Sequence, residues 1–518
     1  MKHIQGTHRT QMVLIPDCLE NIISAENEVR TIDLFVEALP MADFGFNQKN
    51  NTDGRPSYHP KTLLKLFIYG YLNSIRSSRK LEQECHRNIE VMWLMNQLAP
   101  DHNTISNFRK DNPEAIRKVF KATVTLAKNF ELIGGKLLAG DSTKLRAQNS
   151  KKNNYNPKKI ERHLEYIDNK LQEYNQALSQ ADGEEQKQSL ENEVKKQQKR
   201  KEFYNQLSKK IAETGETQIS TSDPESRQMI TRNNITEVAY NVQTTVDAQN
   251  CIPIDYLVTN ENDSKAMGQM LERTVEILEH NNFIGLYDKG FHTGSEFQKA
   301  DELQVEVMVA IPAVASHAPD TKYDVEHFSY NKETDTYTCP ENQILTTNGK
   351  WYNKDRGAST VQIKQYKTNA CLSCSAFERC TKNKKGRLLE RSQHAEYIEK
   401  NKKLIENNKN TYKRRQAIVE HPYGTIKRQW GFSYIMTKKG KKRASSDVGL
   451  IFTAYNLRRI LNLIDPKILK KYLRVLLLKI KTLFQSKLAI LSQLIFSQLK
   501  IDFIYLQNNK RQIASHCL

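Results

Sequence analysis

No apolar run in the 518-residue sequence approaches the ~20 residues a helix needs to cross a bilayer, so a helical membrane protein is not expected. The opening text, Met-Lys-His-Ile-Gln-Gly-Thr-His, lacks the apolar core of a secretory signal. Cysteine is sparse: there are eight, too few and too clustered for a disulfide scaffold. These absences predict a cytoplasmic protein with no membrane partner. Acid is also scarce, since 59 Asp and Glu face 79 Lys and Arg, a net charge of +20. Such a balance implies a polyanionic partner, with a merely basic, ribosome-like protein as the alternative.

What the chain does contain is helical text at both ends and strand-like text between. From Tyr58-His59-Pro60, the residues Leu64, Phe67, Ile68 and Leu72 recur at helical spacing, and a second helical stretch runs from Leu81 to Leu94. Asp101 or Asn103 is placed to cap a short helix presenting Thr104, Asn107, Arg109 and Lys110 outward. Helix, turn and polar helix together suggest a helix-turn-helix that reads DNA, against an ordinary bundle with a solvated basic face. Lys136 to Ala139 reads as a short buried strand, with Asp141 projecting past its end. Ile160, Leu164, Ile167, Leu171, Tyr174 and Leu178 form a heptad seam, broken at Ala181-Asp182-Gly183 and followed by a second helix to Ile211. A β-hairpin follows over residues 238–258, then a helix, a strand Phe283–Tyr287 ending at Asp288, a helix, and a strand from Val305 to Ile311. With the helical hairpin removed, this is the element order of an RNase H-like core. In such a core the first and fourth strands are neighbours, which would set Asp141 beside Asp288.

Residues 313–400 interrupt that core. They carry Cys339, then Cys371 and Cys374 as Cys-x-x-Cys, then Cys380. Four such thiols suit either a tetrahedral zinc site or unligated reduced cysteines. Between Trp351 and Arg415 there are seventeen Lys/Arg and six Asp/Glu, so the insertion is expected to face a polyanion. Further on, Glu420 stands alone between Lys413, Arg414 and Arg415 on one side and Lys427 and Arg428 on the other. Glu420 and Lys427 are two helical turns apart, but Pro422 between them either kinks that helix or starts it. Asp223, Asp247 and Asp263 read as capping or turn acids. From Pro466 onward, ten Lys/Arg and one acid lie in Leu- and Ile-rich text, a basic amphipathic tail.

Several separate words, in order, resemble a DDE transposase of a bacterial insertion sequence. They are Tyr58-His59-Pro60 through Phe108-Arg109, as in InsH-type N-terminal domains; Gly140-Asp141-Ser142-Thr143; Tyr240-Asn241-Val242-Gln243-Thr244; Asp288-Lys289-Gly290-Phe291; and Val419-Glu420-His421-Pro422-Tyr423-Gly424-Thr425-Ile426-Lys427-Arg428. The resemblance implies that Asp141, Asp288 and Glu420 form a triad holding two Mg²⁺ ions, with Mn²⁺ able to substitute. Water, and later a DNA 3′-hydroxyl, would attack phosphorus in line. Arg109, Lys289, Arg415, Lys427 and Arg428 would contact double-stranded DNA. Arg415 stands five residues before Glu420, one more than the commonest spacing in the family's Tyr, Arg, Glu, Lys signature, here Tyr412, Arg415, Glu420 and Lys427. The protein would be nucleoid-associated and act as a homodimer or larger synaptic complex. The expected organisation is an all-α N-terminal DNA-binding domain over residues 1–130 and an α/β, RNase H-like mixed-sheet catalytic domain over 131–465. A helical hairpin (150–235) and the Cys-containing insertion (313–400) interrupt the latter, and a helical tail (466–518) ends the chain. A nuclease that does not join strands, and a catalytically inactive DNA-binding regulator, are the alternatives.

Overall fold

The computed structural model describes residues 18–47, 56–231, 235–313, 318–356, 359–437, 439–480 and 482. Lys438 and most of the basic tail therefore lie outside the described residues. The chain divides into two compact units. One comprises Met1–Leu132, Lys144–Tyr240 and Gly424–Leu518; the other comprises Ile133–Thr143 and Asn241–Tyr423.

The first unit is mainly helical. Helix Pro60–Leu72 starts with proline in its first turn and with the His59 ring accepting from the Lys61 amide at 3.2 Å. It is buried almost all round from Leu63 to Leu72, as a central helix must be. The single helix expected over Leu81–Leu94 is two, Ser78–Arg87 and Ile89–Leu94. Asn88 separates them: its backbone is extended, and its side chain accepts from the amides of Glu90 and Val91 to start the second. Helix His102–Asp111 begins as the sequence predicts, with Asp101 accepting from the Asn103 and Thr104 amides.

The outward placement of Arg109 is corrected. Its side chain is 3% exposed and donates to the Tyr71 hydroxyl at 3.0 Å and the Arg76 carbonyl at 2.9 Å. The reason is Asp447, fully buried on helix Lys441–Leu463, which lies 2.5 Å from Arg76 and 3.6 Å from Arg109 and also accepts from Tyr71. A guanidinium leaves water only where a carboxylate and hydrogen-bond acceptors replace its hydration. Asn456 of the same helix donates to Thr123 at 3.0 Å, tying it to helix Pro113–Asn129. Helix Lys441–Leu463, assigned from sequence to the α/β segment, therefore packs among the helices of the first unit.

The heptad seam is the expected antiparallel pair, Pro157–Ser179 and Glu184–Thr214, joined through Ile160, Ile167, Tyr204, Leu207 and Ile211. Asp223 is 2% exposed and receives the Tyr240 hydroxyl at 2.7 Å and the Gly440 amide at 2.9 Å, which makes it structural.

The second unit is built on a mixed sheet. Its strands are β1 (Leu137–Arg146), β2 (Thr236–Asp247), β3 (Ile252–Thr259), β4 (Ile284–Tyr287) and β5 (Glu306–Val309), in the order β3-β2-β1-β4-β5. β3 runs antiparallel to β2, while β1, β4 and β5 are parallel. β1 and β2 each continue into the first unit, where strand Arg227–Ile230 pairs with β2. Helices Met267–Leu278 and Gly294–Glu302 make the crossovers to β4 and β5. Asp247 ends β2 and accepts from the Gly134, Gly135 and Gln249 amides, the turn role its position predicts. At the sheet's edge the buried Asn401 side chain pairs with both backbone groups of Val309, at 2.8 and 2.9 Å.

Gly140 on β1 is fixed by close approach. A Cβ there would lie 2.0 Å from a ring carbon of the buried Tyr287. Gly140→Ala is therefore expected to lower stability by about 1–3 kcal/mol through overpacking, read from chemical denaturation. Gly424→Ala, which meets nothing within 4 Å, is the matched control. Equal midpoints for the two variants would remove this explanation of Gly140.

The insertion is a small β structure. Its strands run in the order Tyr352–Arg356, Ser359–Lys367, Ile344–Thr347, Thr336–Thr338, Ser329–Asn331, with Leu389–Ser392 also on Ser359–Lys367. Phe328, Tyr337, Leu345, Tyr366 and Leu389 form its core.

Candidate active site

β1 and β4 pair in parallel with Leu137 opposite Ile284 and Ala139 opposite Leu286. The same register carried two residues on sets Asp141, which lies within β1 rather than past its end as expected, opposite Asp288. Neighbouring parallel strands thus bring the two predicted aspartates together. Asp288 leaves β4 into a 3₁₀ turn, Lys289–Phe291, and caps it by accepting from the Gly290 amide at 2.5 Å. Asp141 accepts from the Ser142 amide at 2.7 Å and lies 3.4 Å from the Arg415 guanidinium.

A third carboxylate is Asp263, read from sequence as a helix cap. It starts a 3₁₀ turn and accepts from the side-chain amides of Asn241 at 2.7 Å and Gln243 at 2.8 Å. Asp263 and Asp288 crowd the same glycine: a Cβ on Gly290 would lie 3.0 Å from Asp288 Oδ1 and 3.5 Å from Asp263 Oδ2. Burial raises the Asp141 carboxyl above the usual range, and the negative charges of Asp288 and Asp263 add to it. Arg415 and the Ser142 amide oppose the rise without cancelling it.

Helix Lys409–Tyr423 packs on the sheet beside these residues. Ile418 and Val419 pack with Ala139, Val246, Leu286 and Met308. Tyr412 donates to the Tyr287 carbonyl at 2.9 Å, and the Tyr423 hydroxyl meets that of Thr244 at 2.5 Å. Burial pushes the Tyr423 hydroxyl well above its ordinary pKa, and the nearby Asp141 adds to the effect. Pro422 does not start a helix. It lies inside this one, which passes into a π-helical turn over Gly424–Gln429.

Glu420 is not drawn into the cluster. It follows Val419 on the solvent side of the helix, is exposed, and accepts from the Gln416 amide at 2.8 Å. Among the described residues no three Asp, Glu, His or Cys side chains converge closely enough to hold an ion, so the expected three-carboxylate site is not assembled here. The counter-charge at Asp141 is Arg415. Of the other expected DNA contacts, Lys289 and Arg428 are exposed, and Lys427 donates to the Lys144 carbonyl at 3.0 Å.

Sequence reasoning missed Asn241, Gln243 and Tyr423 as site residues. The available signal was polar residues at alternate positions of a strand whose other face is apolar. β2 is buried on both faces, and a buried amide needs a partner.

Comparison with known proteins finds similarity toward both ends of the chain. A family model described as a transposase domain (DUF772) matches residues 17–111, and one described as a transposase DDE domain matches residues 338–461. The second match spans Glu420 and the segment after the insertion's first cysteine. Both matches are to transposase models, which supports a DDE transposase of the insertion-sequence type. No curated protein sequence matches it significantly. Among solved structures, the cryo-EM structure of the piggyBac transposase synaptic complex with hairpin DNA aligns at 8% identity and a TM-score of 0.30, over 88% of this chain and 80% of that one. A score that low supports no statement about this fold. Among the described residues, no helix is long and apolar enough to cross a membrane.

Proposed function

We propose that this transposase binds double-stranded DNA at the ends of its own insertion sequence, cleaves strands there and joins them to a target, working from an RNase H-like core. The observation that carries the reading is the pairing of β1 with β4, which places Asp141 beside Asp288 in a basic chain matched at both ends by transposase models. The order β3-β2-β1-β4-β5, with first and fourth strands adjacent, supports the RNase H-like assignment.

The donor set fits hard divalent cations: crowded carboxylates, one of them kept from easy ionisation by burial and by like charge. Asp141, Asp288 and Glu420 would hold Mg²⁺ or Mn²⁺, which when bound neutralises charge on the attacking and leaving oxygens. Glu420, whose side chain accepts from Gln416 on the solvent side, would have to turn inward to join them. In cleavage a water oxygen forms a bond to phosphorus, the P–O3′ bond breaks, and the 3′-oxygen leaves with a proton. In joining, that 3′-hydroxyl is the nucleophile and a target 3′-oxygen leaves. Neither step needs a covalent link to protein. Arg415, released from Asp141, is placed to hold a phosphate, with Lys289, Lys427 and Arg428 as further backbone contacts. The working form is a homodimer or larger synapse.

The test supplies a DNA end from the element with a free 3′-hydroxyl, a target duplex and Mg²⁺. Joined product is expected. Cleavage with no joining points to a nuclease alone, and binding with neither points to a regulator.

A further inference from the structure

The insertion carries a second cluster, separate in chemistry from the carboxylates. Cys339 follows strand Thr336–Thr338 and opens a tight turn, with its amide donating to the Gln343 carbonyl at 2.9 Å. The Gln343 amide in turn donates to the Cys339 sulfur at 3.2 Å. Cys371 lies in the 3₁₀ turn Asn369–Ser373, Cys374 ends that turn, and Cys380 ends the short helix Phe377–Cys380. All four thiols are free and line one cavity, together with Phe328, Leu345, Ala376 and Arg387. Cys339, Cys371 and Cys374 are all within electrostatic range of Cys380.

Two neighbours fit an anionic centre there. Gly386, at φ +91°, brings its loop so close that a Cβ would lie 2.9 Å from Cys371 Cβ and 3.6 Å from its sulfur. Arg387 is 7% exposed, donates to the Cys380 carbonyl at 3.2 Å, and keeps its Nε–H buried with no acceptor. A buried guanidinium N–H without an acceptor is costly, and thiolate sulfur beside it would be a natural partner. The four thiols are not drawn together into a coordination sphere in this arrangement.

We propose that Cys339, Cys371, Cys374 and Cys380 form a tetrahedral tetrathiolate site for Zn²⁺, which clamps the turn after Thr336–Thr338 to the loop holding the other three cysteines. Four soft thiolates, two of them as Cys-x-x-Cys, select zinc over the hard cations suited to the carboxylates. A backbone amide already donating to the Cys339 sulfur is the kind of contact that orients such a ligand. The site is structural, since four protein ligands leave no open position for substrate.

The test uses the full chain, purified in reductant, with zinc measured by elemental analysis and cobalt(II) as spectroscopic probe. About one zinc per chain is expected, and cobalt should give the intense visible absorption of a tetrahedral tetrathiolate. Cys374→Ser should lose stoichiometric metal and shift the cobalt spectrum toward three-sulfur ligation, while Cys18→Ser, at an exposed cysteine far along the chain, should change neither. The cobalt spectrum of the unaltered chain keeps the proposal testable if a cysteine variant fails to fold. All four thiols reacting as free thiols in the presence of zinc would overturn it, as would disulfides among them by mass spectrometry. A chain that joins DNA but binds no zinc refutes only this site. A chain that binds zinc but is inert toward DNA refutes only the function above.

Discussion

Replacing Asp141 by Asn is expected to end strand cleavage and joining while leaving the protein folded, and at neutral pH more stable than the parent. The two outcomes have one cause. Burial, followed by Asp288 and Asp263, holds the Asp141 carboxyl above its ordinary pKa. A carboxyl raised in the folded state costs that state stability at pH values above its folded pKa. The cost fades as the pH falls through that value, where the folded protein binds the proton more readily than the unfolded chain does. Asparagine keeps the shape and the Ser142 contact without the charge. It forfeits the pair with Arg415, but the direction of the shift says that repulsion and burial outweigh that pair. Activity should fall by at least about 10³-fold, equivalent to about 4 kcal/mol of barrier, with DNA binding by gel shift retained. Asp288→Asn and Glu420→Gln should match it in activity. Parental strand transfer in Mg²⁺ by any of the three would remove that residue from the triad. A lower melting temperature for Asp141→Asn at neutral pH, converging on the parent's under acid, would reverse the electrostatic account.

The second large effect belongs to Asp447→Ala. This carboxylate is fully buried and is the common partner of Arg76, Arg109, the Tyr71 hydroxyl and the Met436 amide. Removing it strands two buried guanidinium groups, which costs about 3–5 kcal/mol. Against a typical total of about 5–15 kcal/mol, that loss should leave the helical unit unfolded or nearly so under mild denaturant. Burial opposes ionisation of Asp447, but Arg76 and Arg109 prevail and hold its carboxyl below the usual range. Its contribution is therefore present above the ordinary carboxyl pKa and is lost as the pH falls through the lower folded value. An Asp447→Ala protein with the parental denaturation midpoint would contradict the whole network.

The contrast between these two acids shows what a sequence discloses. The neighbouring of the strands that carry Asp141 and Asp288 was legible because strand periodicity and element order, both local signals, fix which strands lie side by side. The helical hairpin was legible for the same reason, through its heptads. Arg109 was misread because its partners Tyr71, Arg76 and Asp447 stand up to several hundred positions away, and nothing near Arg109 announces them. Asp263 was taken for a capping or turn acid, but it is the first residue of a 3₁₀ turn and its carboxylate caps no amide there. Its further role depends on Asn241 and Gln243 reaching it from a strand buried on both faces. Glu420 illustrates the opposite limit, for its sequence context is the most telling in the chain while its side chain faces solvent.

Asn401 bears on how copies of this protein assemble. By occupying both backbone groups of Val309 it does at the rim of the sheet what another strand would otherwise do. A second molecule cannot extend the sheet at that point without evicting a buried amide. Self-association by strand addition is closed off there, and fibre-like stacking through that rim is discouraged along with it.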